Sequence, residues 1–389
     1  SDRLSRRVAA VPPSGIRKFF DIAATMHDVI SLGIGEPDFV TPDVVRQAGI
    51  ASLTRGETRY TSNSGTRELR EAIVAKWAQL YGVEYDPERE TLITVGGSEA
   101  LYLVLMAILN PGDEVLVPEP CFVAYEPEVI FAGGTPIPIA TQVEHLFQVT
   151  GAQLEAAVTP RTKAILINYP NNPTGAVLDT ARMAEIAAVA EKHDLYVISD
   201  EIYDRLVYEP AKPASMAGCF ALHPDHIVVV GGLSKSFAMT GWRLGYALGH
   251  PSLIRAMSTL QSQSTSNICS IAQKAAIAAL TGPMDCVEEM RQAFKRRRDL
   301  ALSIIKTWKK AICPTPDGAF YLFPCLSAYY TAAVPDSTAL SEAFLGEAGV
   351  ATVPGVAFGE DRCVRLSYAT DDATLEKALT AMGDFLGKL

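Results

Sequence analysis

Hydrophobic positions along this chain fall into two alternating patterns. Short runs rich in Val, Ile and Leu occur at 92–95, 114–117, 136–139, 164–168, 196–199, 227–230 and 244–248. Several are almost continuously apolar, as strands covered on both faces must be. Between many of them the apolar spacing changes to three and four. Over 66–81, Leu69, Ile73, Trp77 and Leu80 fall on one helical face behind Thr66 as N-cap, and 181–193 is an alanine-rich periodic stretch. This strand–helix alternation predicts an α/β fold with a mostly parallel seven-stranded sheet flanked by helices.

The last hundred residues read differently. A long helical pattern surrounds 290–309, strands are expected at 319–323 and 364–368, and Asp371 or Asp372 can cap a final helix with Leu375, Leu379, Met382 and Leu386 on one face. The first forty residues are irregular, with Pro12, Pro13, Gly33 and Gly35. The expected division is an N-terminal segment, 1–45, packing with a small domain, a large domain over 46–290, and a small α+β C-terminal domain over 291–389. A chain of 389 residues, 48% of them hydrophobic, suffices for such cores.

Charge and cysteine usage narrow the function classes. A formal net charge of -10 opposes non-specific nucleic-acid binding. The longest apolar run, 100–109, is far short of the ~20 residues that cross a bilayer. The opening Ser-Asp-Arg-Leu-Ser-Arg-Arg lacks the apolar core of a signal peptide. A cytoplasmic protein with neither a nucleic-acid nor a membrane partner is expected. The seven cysteines are odd in number and scattered, without a CxxC pair, which fits free thiols in a reducing compartment. His223 and His226 flank Pro224 and Asp225 in an expected loop, and no metal site is predicted.

Four motifs then occur in order: Gly96-Gly97-Ser98-Glu99-Ala100, Asn168-Tyr-Pro-Asn-Asn-Pro-Thr-Gly175, Asp200-Glu-Ile-Tyr203, and Ser234-Lys235 with Gly241-Trp242-Arg243. Each sits just after a predicted strand, and open α/β sheets bind ligands beyond the carboxyl ends of their strands. Gly97-Ser98 opens a helix, whose free N–H groups and dipole suit an anion such as phosphate. Taken singly, each motif has a plain structural reading: a glycine turn, a capping acid, a surface arginine, a solvated lysine.

Taken together, and with Ser31-Leu-Gly-Ile-Gly-Glu-Pro-Asp-Phe39 and Val364-Arg-Leu-Ser-Tyr368, they resemble the fold-type I, class I/II aminotransferases over essentially the whole chain. The resemblance is strongest to bacterial and archaeal aspartate and aromatic aminotransferase-like members. It implies pyridoxal 5'-phosphate as cofactor, held by Lys235 as a Schiff base. That lysine must be neutral to act as a nucleophile, so its pKa must be depressed; once freed, it moves the substrate proton. Asp200 would pair with the protonated pyridine nitrogen. Tyr203 and Asn172 would bond the ring's phenolic oxygen, with Asn172 preferred over Asn171 because it directly precedes Pro-Thr-Gly. Arg243, Ser234 and Ser98 would hold the phosphate with the backbone around Gly97–Glu99. Phe122 would stack on the ring, where the family often has tryptophan. Tyr60 would reach a neighbouring subunit's phosphate, implying a homodimer. Arg365 would grip the substrate α-carboxylate, with Gly35 beside it on a segment that closes over substrate.

Specificity must come from the side-chain pocket. A dicarboxylate needs a second cation there, some aspartate-using relatives carry lysine where this chain has Ser98, and 261–270 contains no lysine or arginine. Arg17 and Lys18 remain candidates, while the two aromatics within 16–20 favour aromatic or apolar amino acids. The expected activity is ping-pong transfer of the amino group of an L-amino acid (aromatic, apolar or aspartate) to a 2-oxo acid such as 2-oxoglutarate. A carbon–sulfur β-lyase of the same fold is the alternative. A non-catalytic regulatory module is more remote, since no DNA-binding domain fits before 33–39.

Overall fold

The computed structural model describes residues 3, 5–11 and 28–389, so Arg17, Lys18 and the aromatics of 16–20 lie outside it. In chain order the strands are β1 (Ile30–Ser31), β2 (Thr91–Thr94), β3 (Glu114–Glu119), β4 (Thr135–Ala140), β5 (Thr162–Asn168), β6 (Tyr196–Asp200), β7 (Ile227–Gly232), β8 (Gly245–Gly249), β9 (Tyr321–Leu322), β10 (Val350–Ala351), β11 (Val353–Pro354) and β12 (Val364–Ser367). Seven of them, in the order β2-β8-β7-β6-β5-β3-β4, form one sheet. β8 is antiparallel to both neighbours, and the remaining pairings are parallel.

The reversal of β8 has a geometric consequence. β2 runs in the same direction as β7, β6, β5 and β3, so their carboxyl ends meet at one sheet edge. The amino end of β8 arrives at that same edge. Arg243 therefore reaches the site by preceding β8, whereas Lys235 of the same motif follows β7 and the other three motifs follow strands.

Successive residues of the central strands enter different cores, because side chains alternate across a sheet. Ile165, Ile167, Val197 and Val229 belong to one cluster. Ala164, Leu166, Ile198, Val228 and Val230 belong to the cluster on the other face. Helices Arg67–Tyr81 and Thr180–His193 cover the first face, and Gly96–Ile108 and Pro251–Ser262 the second. Thr66 caps the first of these helices through Leu69 N, as expected from sequence.

A third core collects around β9, β12 and helix Asp372–Leu386, which Asp371 caps through Thr374 N. Strands β11, β12 and β9 form a small antiparallel sheet, and β1 pairs in parallel with β10. The N-terminal segment is thereby joined to the C-terminal part of the chain. Helix Asp285–Ile305 runs without a break across residue 290, the expected domain boundary; Val287 packs in the first core, and Met290, Phe294 and Leu302 in the third. The strand expected at 319–323 is shorter. Ala319 adopts a left-handed φ of 55°, and its N–H donates to Leu206 O, so ladder pairing begins only at Tyr321.

Candidate active site

The carboxyl-end edge of the large sheet borders a cavity of ≈ 340 Å³, a size suited to a small-molecule ligand. Gly97 and Ser98 enter it after β2, Phe122 after β3, Asn172 after β5, Asp200 and Tyr203 from β6 and the turn beyond it, Ser234 and Lys235 after β7, and Arg243 before β8. Gly35 and Arg365 close the opposite side. Two predicted site residues do not line this cavity. Glu99 turns its carboxylate back to accept from Val95 N at 2.5 Å and from Thr265 Oγ1, which holds the start of the helix. Tyr60 is 92% exposed and does not reach the cavity of its own chain.

One corner gathers groups whose chemistry suits an anion. Helix Gly96–Ile108 presents its first-turn N–H groups there. Gly96 has φ +72°, and a Cβ at this position would sit 2.6 Å from Arg243 Nη2, so only glycine allows the guanidinium to lie so close. Arg243 Nη1 donates to Thr240 O at 3.2 Å.

Deeper in the cavity lies a buried carboxylate. Asp200 Oδ2 accepts from Tyr125 Oη at 2.7 Å, and Oδ1 accepts from Ile202 N at 3.1 Å. Burial lifts its pKa to about 6, opposed by these two donors and by Lys235. Glu128 is driven up further, to about 8, by burial and by the charge of Asp200. Asn168 ties two site segments together: its Nδ2 donates to Asp200 O at 2.9 Å, and its Oδ1 accepts from Asn172 N at 2.9 Å.

Lys235 is partly buried, and its Nζ donates to Gly35 O while lying 5.8 Å from the Tyr203 ring centre and 5.9 Å from that of Phe320. Its pKa falls to about 8, first because burial disfavours the charged form and then because of Arg365; Glu36 opposes the shift.

Arg365 is held from several sides on β12. Nη1 donates to Asn172 Oδ1 at 2.9 Å and Nη2 to Gly33 O at 2.6 Å, while the guanidinium lies between the rings of Tyr321 (4.6 Å) and Phe358 (4.9 Å). Its Nε is buried with no hydrogen-bond partner among the described residues. An orphaned guanidinium donor in a buried setting is costly, and it is the kind of group a carboxylate ligand satisfies. Tyr203 Oη and Tyr321 Oη share a hydrogen bond of 2.7 Å beside it.

Three residues at the site were not singled out from sequence: Tyr125, Asn168 as a bridging side chain, and Tyr321. Each had a weak signal. Tyr125 lies three residues past Phe122, Asn168 opens a quoted motif, and Tyr321 sits in an expected strand. Asn171 instead builds the local turn: its Oδ1 accepts from Thr174 N at 3.0 Å, and its Nδ2 donates to Asn168 O at 3.2 Å.

Comparison with known proteins agrees with this arrangement. Residues 27–382 match the family described as aminotransferase class I and II. The aspartate/prephenate aminotransferase of Cereibacter sphaeroides is 43% identical, covering 99% of both chains. The aspartate aminotransferase of Geobacillus stearothermophilus is 42% identical over the same shares. Among solved structures, Thermus thermophilus aspartate aminotransferase with maleate superposes with a TM-score of 0.92 at 42% identity, covering 98% of this chain and 99% of that one. The aromatic aminotransferase of Pyrococcus horikoshii gives 0.90 at 39% identity, covering 96% and 99%. A match of this extent, on a sheet edge carrying the expected lysine, acid and arginines, establishes that the chain belongs to the class I and II aminotransferases.

Proposed function

We propose that the cavity binds pyridoxal 5'-phosphate and passes the amino group of an L-amino acid to a 2-oxo acid such as 2-oxoglutarate in a ping-pong sequence. The residues fit the cofactor by charge and by position. The helix start at Gly97, with Ser98, Ser234 and Arg243, suits the phosphate. Asp200, held by Tyr125 and Ile202 N, suits a ring cation, which in turn stabilises the carboxylate in its buried place. Phe122, Asn172 and Tyr203 line the space between. When bound, the cofactor supplies an aldehyde that condenses with amines and a ring that takes up electron density from the α carbon.

Lys235 is the group that attacks and then moves the proton at the α carbon. With its pKa near 8, a useful fraction is neutral around pH 7, which an ordinary lysine cannot offer. Arg365 orients the substrate by its α-carboxylate, with Gly33, Gly35 and Asn172 around it. The single observation that carries the reading is that Lys235, Asp200 and Arg365 share one cavity.

Two finer points extend the proposal. The names of the relatives make aspartate, prephenate and aromatic amino acids the first substrates to test. Lys235, Arg243 and Arg365 are the cations lining the cavity among the described residues, so a dicarboxylate would need a further cation from 12–27 or from a second copy. The strong exposure of Tyr60, with that of Val40, Val44 and Leu53 in the same part of the sequence, supports a homodimer in which Tyr60 serves the neighbouring site. In this reading the protein is cytoplasmic and works as a large cofactor-binding body joined to a smaller unit made from both chain ends, with helix Asp285–Ile305 as the connection. Among the described residues no helix is long and apolar enough to cross a membrane.

The test is a donor panel with 2-oxoglutarate and cofactor-loaded protein. Glutamate should form with at least one donor. Its absence with every donor overturns the proposal, and pyruvate plus ammonia from cystathionine without amino transfer would favour the β-lyase, a reading the relatives do not favour.

A further inference from the structure

Away from the cavity, two cysteines face each other across neighbouring backbone segments. Cys325 follows β9, Cys363 precedes β12, and the two are antiparallel bridge partners. The hydrogen bonds flanking them run from Leu326 N to Arg362 O (2.8 Å) and from Val364 N to Pro324 O (3.1 Å). The cysteines' own backbone groups do not bond to each other. They therefore form the close, non-hydrogen-bonded kind of antiparallel pair, in which Cα atoms lie about 4.5 Å apart. That separation lies within the window of roughly 4.4–6.8 Å in which two cysteines can be bridged.

The backbone at this pair is fixed from both sides. Cys325 N donates to Ile312 O at 2.8 Å and Ile312 N to Cys325 O at 3.1 Å, while Gly355 N donates to Cys363 O at 2.9 Å. The two thiols also interact. The contact with Cys363 is the main influence that lowers the pKa of Cys325, and the same contact, then burial, raises that of Cys363. Cys325, at 7% exposure against 1% for Cys363, is the less buried of the two. Cys325 Sγ also lies 3.5 Å from Ser327 Oγ.

We propose that Cys325 and Cys363 form a reversible dithiol–disulfide site that accepts small two-electron oxidants of the peroxide class. The Cys325 thiolate gives an electron pair to one peroxide oxygen, the O–O bond breaks, and the departing oxygen leaves as water after taking a proton. Cys325 is then a sulfenic acid. The Cys363 sulfur displaces its hydroxyl, the S–S bond forms, and the Cys363 proton leaves with that hydroxyl as a second water. Two thiols have lost two electrons, and one hydrogen peroxide has become two waters. A dithiol reductant reverses the step by exchange and is itself oxidised.

The cross-link would close a loop over residues 326–362. That loop carries β10, which pairs with β1 just before Gly33 and Gly35, and Arg365 lies two residues beyond Cys363. Oxidation would therefore brace the chain around the arginine end of the cavity and stabilise the fold by restricting the unfolded state.

The test uses cofactor-loaded, fully reduced protein treated with hydrogen peroxide, unfolded, alkylated and digested without reduction. The expected product is a peptide pair joined through Cys325 and Cys363, lighter than the dithiol by two hydrogens, and a Tm above that of the dithiothreitol-treated protein. In Cys363→Ser the joined peptide and the Tm rise should disappear, and dimedone should label Cys325. Recovery of Cys325 and Cys363 as alkylated thiols, under conditions that oxidise the exposed Cys269, would overturn the proposal without needing any variant. A Tm rise of the same size in Cys363→Ser would overturn the stabilising role.

Discussion

At one end of the cavity Asp200, Asn172, Ser234 and Lys235 leave neighbouring strands of a single sheet. At the other, Arg365, Gly33, Gly35 and Tyr321 come from the two extremes of the chain. The first end is held by the backbone ladder: Asn168 and Asp200 are register partners on β5 and β6, and Asn168 bonds onward to Asn172. The second end meets the first through side chains, with Arg365 on Asn172 and Lys235 on Gly35. A ladder cannot yield without breaking the sheet, whereas these side-chain bonds can exchange for bonds to a ligand. Under the proposed function, the sheet end would be the fixed seat for the cofactor, and the arginine end the part that substrate completes.

The comparison is sharpened most by removing the group between the ends. Lys235→Ala should lower turnover by at least about 10³-fold, since nucleophile and proton carrier vanish together, while circular dichroism stays unchanged. Arg365→Ala should cost about 10²-fold in kcat/KM for the amino donor, mostly through KM, because charge-assisted bonds to the carboxylate are lost. Cofactor affinity, read by fluorescence titration, should stay within a few-fold. If it weakened as much as donor binding, the two ends would not be separate.

Tyr125→Phe is the converse. It removes the 2.7 Å donor to Asp200, so the buried carboxylate ionises less readily. Cofactor affinity should drop about tenfold, with the donor KM nearly unchanged. An equal change in donor KM would contradict the division.

A smaller effect is expected from pH. The Lys235 amine is neutral above about 8 in the folded protein, against 10.5 for an ordinary lysine. The rate of cofactor uptake should therefore rise with pH and level off above about 8. Between that pH and 10.5 the unfolded chain binds the extra proton, so the cofactor-free fold should gain stability as pH rises through this window. Stopped-flow mixing and denaturant titration across the range check both signs.

The sheet was legible in sequence because its strands are buried on both faces and therefore read as continuous apolar runs. The residues that line the sheet end of the cavity were legible because each follows or precedes such a run. What was hidden depends on contacts remote in sequence. Tyr125 looks like a core tyrosine until β6 brings Asp200 to its hydroxyl. Tyr321 lies in an expected strand, and nothing nearby in sequence indicates that it meets Tyr203 and Arg365. The antiparallel entry of β8 was equally hidden, since an apolar run carries no sign of its direction. Glu99 was expected to contribute through its backbone, and the sequence carried no sign that its carboxylate holds the helix start.

The most direct measurement is borohydride trapping of the cofactor-loaded protein, followed by digestion and mass spectrometry of the labelled lysine. Label on Lys235, and its loss when a good amino donor is added first, is the predicted result. Label on a different lysine, or none under conditions where the cofactor is bound, would contradict the placement of the reaction at the end of β7.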